Sequence, residues 1–446
     1  MMTETPAAPT VDAGPASREA RGREPIVLLA SVLAVLTYVD RVCISKAEPY
    51  LSARFHLTGQ QMGLVFAAFS LGYALFEVPG GWLGDRLGPR RVLTRIVLWW
   101  SVFTAATAWA WSFGSLLTMR FLFGAGEAGC FPNLTKALKN RLTEPERVRA
   151  QSILWLSARW GGAFTPLVVT LILDAGVISW RGLLLFFGSL GIVWAAFFLA
   201  RTRDDAPAAR AEKAPAVPWR ILLRSRTVWL LCLQYMALNY AWFFYVTWLP
   251  KYLIEVLQVD GTKASLLNAL PLFFGGVGCL VCGALAPRVA AWTGQTKSAR
   301  RLLACAGYAC AAVLLLVAVS LRDPVLAMVV MGLASFANDF VMPVSWTACM
   351  DVGGRHTGTL SGLMNMLGAL IAGLAAIVSG KLHDMTGSWA PTFYLSAAAY
   401  ALGFVCWLFL DPVTPLLGKE EPAWPNAASS APSSSTSPRP AGGTIM

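Results

Sequence analysis

The sequence predicts an all-α membrane protein in which twelve transmembrane helices form two halves of six. Charged residues make up only 13% of its 446 residues and hydrophobic residues 56%, whereas soluble domains carry about 25% charged residues. Twelve mainly apolar segments are each long enough to cross a membrane as a helix, which takes about 20 residues. The longest polar connection separates the first six segments from the last six.

The twelve predicted spans follow one another with mostly short connections. Glycines recur in the fourth, eighth and eleventh spans, and small residues let helices approach closely within a membrane. The first half covers residues 26–45, 61–82, 92–113, 115–138, 149–173 and 182–201, and the second half covers 228–252, 264–286, 302–321, 324–350, 357–381 and 390–411.

The polar parts of the chain define the remaining organisation. Residues 202–227, rich in proline and charge, are predicted to be a cytoplasmic linker between an N-terminal bundle, 25–201, and a C-terminal bundle, 228–411. Residues 1–24 lack the apolar core of a cleavable signal peptide. Together with residues 412–446, which are rich in serine and proline, they are predicted to be disordered tails.

The formal net charge of +12 is explained by topology better than by nucleic-acid binding. If the N-terminus lies inside, 26 of the 36 lysines and arginines fall on the inner side and seven in outer loops. The remaining three, Arg41, Arg120 and Arg159, lie within apolar spans. This asymmetry follows the positive-inside rule. It predicts that both termini are cytoplasmic, and we expect no nucleic-acid partner.

The sequence offers no set of residues for catalysis, a metal or a cofactor. The nine cysteines lie within apolar spans, and the three histidines lie apart from one another, so we interpret the cysteines as small packing residues. No phosphate-binding glycine-rich loop of the ATPase type is present in the sequence. These features argue against an enzyme and against an ATP-driven pump.

A glycine-rich basic loop follows the second span. Residues 81–93 read GWLGDRLGPRRVL, and we expect a tight turn in which Asp85 caps a helix end or pairs with an arginine. The segment resembles the loop signature of the major facilitator superfamily. The resemblance implies the two-bundle fold of that family and a conformational latch formed by Asp85, Arg86 and Arg90.

Three further segments narrow the resemblance to the anion:cation symporter branch of that superfamily. They are YVDRVCIS at residues 38–45, RFLFGAGEAGCFP at 120–132 and GGRHTGTLSGLMNM at 353–366. The branch includes bacterial galactonate and hexuronate permeases and animal sialic acid, phosphate and vesicular glutamate transporters. Three residues depart from its usual pattern and leave the substrate open: Glu77, Ala369 and Arg159.

Two adjacent charges, Asp40 and Arg41, lie near the middle of the first span. A charge there costs at least a few kcal/mol, so we expect each to face a cavity or a partner. Helical geometry places Tyr38 on the face of Arg41. The resemblance implies that Arg41 binds the substrate carboxylate and that Asp40 takes part in proton coupling. The alternative is a buried ion network with a structural role.

Three more charges lie within the fourth and fifth spans. Arg120 and Glu127 are two helical turns apart and share a face. The resemblance implies that Glu127 is the central proton acceptor and that Arg120 pairs with it or with Asp40; alternatively, Arg120 is an interfacial anchor. Arg159 is interpreted either as a second anion ligand or as a partner of Glu77 or Glu127.

The second half offers mainly aromatic and amide side chains. Tyr235, Asn239 and Trp242 share a face of the seventh span, where they suit either a polyol ligand or ordinary packing. Asn338 and Ser345 are expected to line a cavity from the tenth span, and Asp339 to be structural. In the eleventh span, Asn365 shares a face with Ser361, and we expect it to bind substrate hydroxyls.

These observations predict a proton-coupled symporter for a small organic anion such as a hexuronate or an aldonate. It is expected to work by alternating access as a monomer in a bacterial inner membrane, without a cofactor. One alternative is an antiporter for inorganic anions or organic phosphates. Another is a membrane receptor that transports nothing.

Overall fold

The computed structural model describes residues 15–176, 178–202, 217–259 and 261–417. These residues form α-helices with one short 3-10 turn, Gly354–His356, and no strand. The first half consists of α1 (Pro15–Phe55), α2 (Gly59–Leu87), α3 (Pro89–Thr107), α4 (Phe113–Glu127), α5 (Cys130–Arg141), α6 (Glu144–Asp174) and α7 (Trp180–Arg201). The second half consists of α8 (Trp219–Arg224), α9 (Arg226–Thr247), α10 (Leu249–Glu255), α11 (Gly261–Thr293), α12 (Thr296–Ser320), α13 (Pro324–Phe340), α14 (Met342–Gly353), α15 (Thr357–Thr386) and α16 (Ala390–Phe409).

Each of the twelve predicted spans is occupied by one helix or by two helices in succession, and the predicted fold class is confirmed. By length and apolar composition alone, seven segments of the described chain can cross a membrane, and the longest, 324–386, contains α13, α14 and α15. The seventh and tenth predicted spans are divided near Pro250 and Pro343. Proline interrupts a helix because it lacks the backbone N–H that the preceding turn requires.

The fourth predicted span is divided between α4 and α5 by a glycine. Gly129 has a φ of +79°, which only glycine adopts at little cost. A Cβ atom at this position would lie 2.6 Å from the Cα of Gly80 on α2. The break therefore lets α2 pass close to α4, and it leaves Glu127 as the last residue of α4.

Both predicted tails require a correction at their boundaries. Helix α1 begins at Pro15, within the predicted tail 1–24, because proline suits the first helical turn and the alanines and arginines that follow favour a helix. At the other terminus, residues 412–416 are packed rather than free. The backbone N–H of Leu416 donates to the carbonyl of Val352, and Arg300 donates to the carbonyl of Pro412.

Within each half the helices pack pairwise, and α2 with α15 and α6 with α11 form the largest contacts between the halves. We call the end of the bundle where the loops 86–91, 141–147, 294–300 and 353–357 lie the basic end. The hydrogen bonds and ion pairs identified between the halves lie between the basic end and the level of Trp160 and Asn365. Polar contacts therefore join the halves from the basic end to the middle of the bundle.

Candidate substrate and coupling site

The centre of the first half contains an ion pair between Arg41 on α1 and Glu127 at the end of α4. Glu127 is fully buried, whereas 21% of the Arg41 side chain is exposed. The guanidinium lies 4.5 Å from the ring centre of Tyr73 and 5.5 Å from those of Tyr38 and Phe69. Arg41 is thus held by one carboxylate within an aromatic cage, and about a fifth of its side chain remains exposed.

Asp40 and Arg120 lie close to this pair without joining it directly. Asp40 is 1% exposed, and its neighbours include Thr104, Trp100 and Arg120. Arg120 is 3% exposed and lies 4.4 Å from the ring centre of Phe123, so it is not an interfacial anchor. It is near both carboxylates but, among the residues described, forms an ion pair with neither. Four predicted charges therefore meet in one buried cluster: Asp40, Arg41, Arg120 and Glu127.

A hydrogen-bonded network connects this cluster to the second half. Asn365 on α15 donates 2.9 Å hydrogen bonds to Glu77 and to the hydroxyl of Tyr73, both on α2. Its carbonyl oxygen accepts a 3.3 Å hydrogen bond from Tyr235 on α9, and Trp346 donates to that same hydroxyl. The network spans both halves at the level of Arg41. Tyr73 was not predicted, because an isolated tyrosine in an apolar span carries no distinguishing signal.

Arg159 pairs with Asp339 rather than with Glu77 or Glu127. Its Nε and one terminal nitrogen donate to the two carboxylate oxygens at 2.5 and 2.7 Å. The guanidinium also lies 4.0 Å from the ring centre of Trp242. Since Arg159 belongs to α6 and Asp339 to α13, this buried pair joins the two halves. The sequence interpretation had assigned Asp339 a structural role and had not considered it as a partner.

The other predicted residues of the second half differ in whether they contact Arg159 or the network around Asn365. Trp242 reaches Arg159, and Tyr235 and Asn365 belong to the network. The amide of Asn239 donates 2.8 Å to the carbonyl of Tyr235 in its own helix. Ser345 does not join Arg159 or the network around Asn365, because its fully buried hydroxyl bonds to Gln234 within the second half.

Asp85 connects the halves at the basic end. Its carboxylate accepts hydrogen bonds from the backbone N–H groups of Gly358, at 2.9 Å, and Thr359, at 2.6 Å, and from the Thr359 hydroxyl. These N–H groups belong to the first turn of α15, where no partner exists within the helix. Lys136 on α5 approaches the carboxylate at 2.5 Å and also donates to the carbonyl of Arg355.

The other two predicted latch residues contact side chains and carbonyls near their own helices. Arg86 lies over the ring of Trp82, one turn earlier in its own helix. Arg90 donates to the Thr202 hydroxyl at 3.1 Å and to the carbonyl of Leu199 at 2.8 Å. Asp85 is thus a predicted latch residue that contacts the opposite half.

A second polar connection at the basic end was not predicted. Asp351 on α14 pairs with Arg147 on α6 and, at 2.5 Å, with Arg300 on α12. The three side chains are 5%, 18% and 2% exposed respectively. Because Arg147 belongs to the first half and the other two to the second, the cluster adds an ionic contact to the one made by Asp85.

Comparison with known proteins supports the resemblance. A family model described as Major Facilitator Superfamily matches residues 30–376. A probable sulfoacetate transporter of Cupriavidus necator is 33% identical over 420 residues, which cover 90% of this chain and 96% of the relative. The hexuronate transporter of Bacillus subtilis is 27% identical over 407 residues, covering 89% and 96%.

Among solved structures, the fold is similar to that of the fucose:proton symporter of Escherichia coli. The TM-score is 0.70 and the sequences are 17% identical, with 87% of this chain and 98% of the symporter covered. At that identity the likeness concerns the fold alone.

Proposed function

The chain belongs to the Major Facilitator Superfamily, and we propose that this transporter couples the movement of a small organic anion to that of protons. The predicted family and the absence of an enzymatic role are confirmed by the matched model and relatives. The substrate class, the coupling ion and the direction belong to the proposal.

The observation that carries the proposal is the ion pair between Arg41 and Glu127. A guanidinium is a suitable ligand for a carboxylate or a sulfonate, because its donors match two oxygens of such a group. In this structure the Glu127 carboxylate pairs with the Arg41 guanidinium, and 21% of the Arg41 side chain is exposed. A substrate anion and the Glu127 carboxylate therefore compete for the same cation.

This competition supplies a mechanism for coupling. Protonation of Glu127 removes its charge and weakens its hold on Arg41, which frees the guanidinium for the anion. Binding of the anion in turn favours the protonated form of Glu127, because the two effects are thermodynamically linked. Asp40 lies beside Arg120 in the same cluster, and we assign it a second proton. Each proton thereby offsets negative charge brought into a buried site.

The conformation of the protein corresponds in this proposal to one state of an alternating-access cycle. The halves are joined at the basic end through Asp85 and Asp351, and this end is predicted to face the cytoplasm. In the proposed cycle, substrate and protons enter from the opposite end and the contacts at the basic end then break. We place the protein in a bacterial inner membrane, as a monomer with both termini cytoplasmic.

Two kinds of organic anion are the leading substrates. The hexuronate relative favours a sugar acid, as do the amide and phenol of Asn365 and Tyr235 beside the cation. The sulfoacetate relative favours a short anion that bears a sulfonate as well as a carboxylate. Its sequence is 33% identical to this chain, against 27% for the hexuronate relative. Both classes present an anionic group to Arg41.

Uptake into proteoliposomes tests the proposal. Purified protein is reconstituted and offered labelled galactonate, glucuronate, sulfoacetate and phosphate, with and without an inward proton gradient. We expect accumulation of at least one organic anion that requires the gradient. Accumulation that depends only on an anion loaded inside would instead indicate an antiporter, and absence of transport for every anion would refute the function.

The variant Arg41→Ala tests the assigned ligand. We expect it to lose binding of every organic anion that the wild type transports, because the cation that receives the anionic group is gone. Arg54→Ala is the matched control, since Arg54 lies in the last turn of the same helix. Unchanged affinity in Arg41→Ala would exclude Arg41 as the anion ligand.

A further inference from the structure

A second pair of guanidinium and carboxylate groups lies at the interface of the two halves. Arg159 is 2% and Asp339 0% exposed, and their bidentate geometry is the strongest form of such a pair. A buried ion pair is seldom the most stable way to fill a protein interior, since hydrophobic residues of similar volume often do as well or better. Its position between two moving halves points to a role in the transport cycle.

This pair and the first one share a neighbouring side chain, Tyr38. The ring centre of Tyr38 lies 5.5 Å from the Arg41 guanidinium. The same ring packs on α6 one turn after Arg159, where a Cβ atom on Gly162 would lie 2.9 Å from it. Tyr235, which belongs to the network around Asn365, is likewise near Arg159 and Tyr38. Tyr38 is therefore a common neighbour of the two guanidinium groups, and a substrate with two anionic groups is the class of ligand that can use both cations.

Buried donors without partners accumulate beside the second pair. The indole N–H of Trp242 has no hydrogen-bond acceptor, although its ring lies 4.0 Å from the Arg159 guanidinium and is 9% exposed. The hydroxyls of Tyr245 and Ser335 are also unpaired and buried, and both lie near Asp339. An unsatisfied buried donor is destabilising, and an anionic group at Arg159 would supply acceptors.

We propose that the substrate carries two anionic groups, one bound by Arg41 and the other by Arg159, and that Asp339 takes up a proton as it releases Arg159. This inference rests on the proposed function. It extends it by naming a class of substrate, short organic dianions, and by adding a proton acceptor in the second half.

The charges balance at the second site. Before binding, the positive Arg159 and the negative Asp339 sum to zero. After binding, the anionic group of the substrate neutralises Arg159, and a proton from the solution neutralises Asp339. No charge is left unpaired in the buried interface, which would otherwise be strongly destabilising. The second anionic group therefore enters together with one additional proton.

The surroundings of Asp339 make Arg159 its dominant electrostatic partner. The titratable groups that face it are the phenol of Tyr245 on α9, the phenol of Tyr400 on α16 and the thiol of Cys279 on α11. Asn338, next in sequence, donates a 2.8 Å hydrogen bond to one carboxylate oxygen. Among the described residues, Arg159 is the charged side chain paired with Asp339.

The test compares ligands that differ by one charge and little else. Binding to purified protein in nanodiscs is measured by calorimetry for sulfoacetate against its monoanionic amide, and for galactarate against galactonate. We expect the dianion of at least one pair to bind at least tenfold more tightly, which corresponds to about 1.4 kcal/mol. A preference below threefold in both pairs, with the monoanions still binding, would overturn the inference but leave the proposed function intact.

Variants test whether the preference for dianions depends on the pair of Arg159 and Asp339. Arg159→Gln alone would leave Asp339 buried and unpaired, so the informative variant is the double substitution Arg159→Gln with Asp339→Asn. It is expected to lose the dianion preference, measured as the ratio of the dianion affinity to the monoanion affinity of the same variant. Arg147→Gln, which alters another ion pair between the halves, is the control and should retain it. Retention of the preference in the double variant would overturn the inference.

Asp339→Asn alone separates anion binding from proton uptake. Because Arg159 remains and its competitor is gone, dianion affinity should be equal to or higher than that of the wild type. The number of protons taken up per dianion, measured by a pH indicator during binding, should fall by one. An unchanged proton count would refute the role of Asp339. Failure of every anion to bind wild-type protein would refute the proposed function itself.

Discussion

Replacing Asp85 by asparagine should open the basic end of the protein. The carboxylate accepts four hydrogen bonds, from the Lys136 ammonium, two backbone N–H groups and the Thr359 hydroxyl. An asparagine keeps one acceptor oxygen and presents an NH₂ group in place of the other, so at least one N–H donor loses its acceptor and the remaining bonds are no longer made to a charged group. Hydrogen bonds to a charged group contribute about 1.5–3 kcal/mol each. The closed state therefore loses at least about 3 kcal/mol relative to the open state, roughly a hundredfold in their ratio.

A cysteine at position 361 reports this opening. Ser361 is fully buried and lies one turn beyond Gly358, which packs against Gly81 of the first half. Serine and cysteine have similar volumes, so Ser361→Cys should be tolerated. In nanodiscs, the rate of its alkylation by a maleimide is followed by mass spectrometry of the peptide. If only the open state reacts, Asp85→Asn should increase the rate by about a hundredfold.

The neighbouring arginine provides a matched control within the same loop. Arg86 is exposed and lies over Trp82 of its own helix, so Arg86→Gln should leave the alkylation rate within threefold of the Ser361→Cys parent. An Asp85→Asn rate that also remains within threefold would refute the reasoning, as would an equal increase in both variants.

Three other substitutions test different parts of the structure. Glu127→Gln should abolish proton-driven accumulation in proteoliposomes but keep counterflow exchange, and persistent accumulation would show that coupling lies elsewhere. Gly129→Ala should lower the melting temperature far more than Gly373→Ala. Gly129 has a φ of +79° and a Cβ there would meet Gly80, whereas a Cβ at Gly373 would meet no atom within 4 Å. Equal effects of the two substitutions would contradict this explanation of the helix break. Asp351→Asn leaves two arginines without their carboxylate, so melting should fall by about 5 °C or more, and an unchanged melting temperature would show that the cluster contributes little.

The fold could be predicted because the membrane restricts what an apolar segment can do. A run of about 20 apolar residues has to satisfy its backbone polar groups within itself, and a helix does so. The positions of the helix breaks were harder to foresee. The break at Gly129 depends on the close approach of Gly80, which is a tertiary contact between residues far apart in the chain.

The charged cluster of the first half could be predicted in part. Helical periodicity places Arg120 and Glu127 on one face, and burial in an apolar span requires partners for Asp40 and Arg41. The periodicity of one helix does not say which residue of another helix it meets. The pairing of Arg41 with Glu127 and of Asn365 with Glu77 therefore emerged only from the packed structure.

The partner of Arg159 was missed because the first half already offered acids. Glu77 and Glu127 were considered as its partners, whereas Asp339 lies well inside a span of the second half and was left without a cation. Burying either charge alone within a membrane is strongly unfavourable. Pairing the two across the halves lowers this cost for both residues. The error lay in searching for partners within one half, although the halves of a transporter meet along a shared interface.

The two ion pairs differ in whether breaking them loosens the contact between the halves. Arg41 and Glu127 belong to the same half, so their separation does not require the halves to move, and it can follow from proton and anion binding alone. Arg159 and Asp339 belong to opposite halves, so their separation also removes a bond that holds the halves in this arrangement. An anion that reaches only Arg41 leaves that bond intact, whereas an anion that reaches both cations releases it. The second pair can therefore make the change of conformation conditional on the complete substrate.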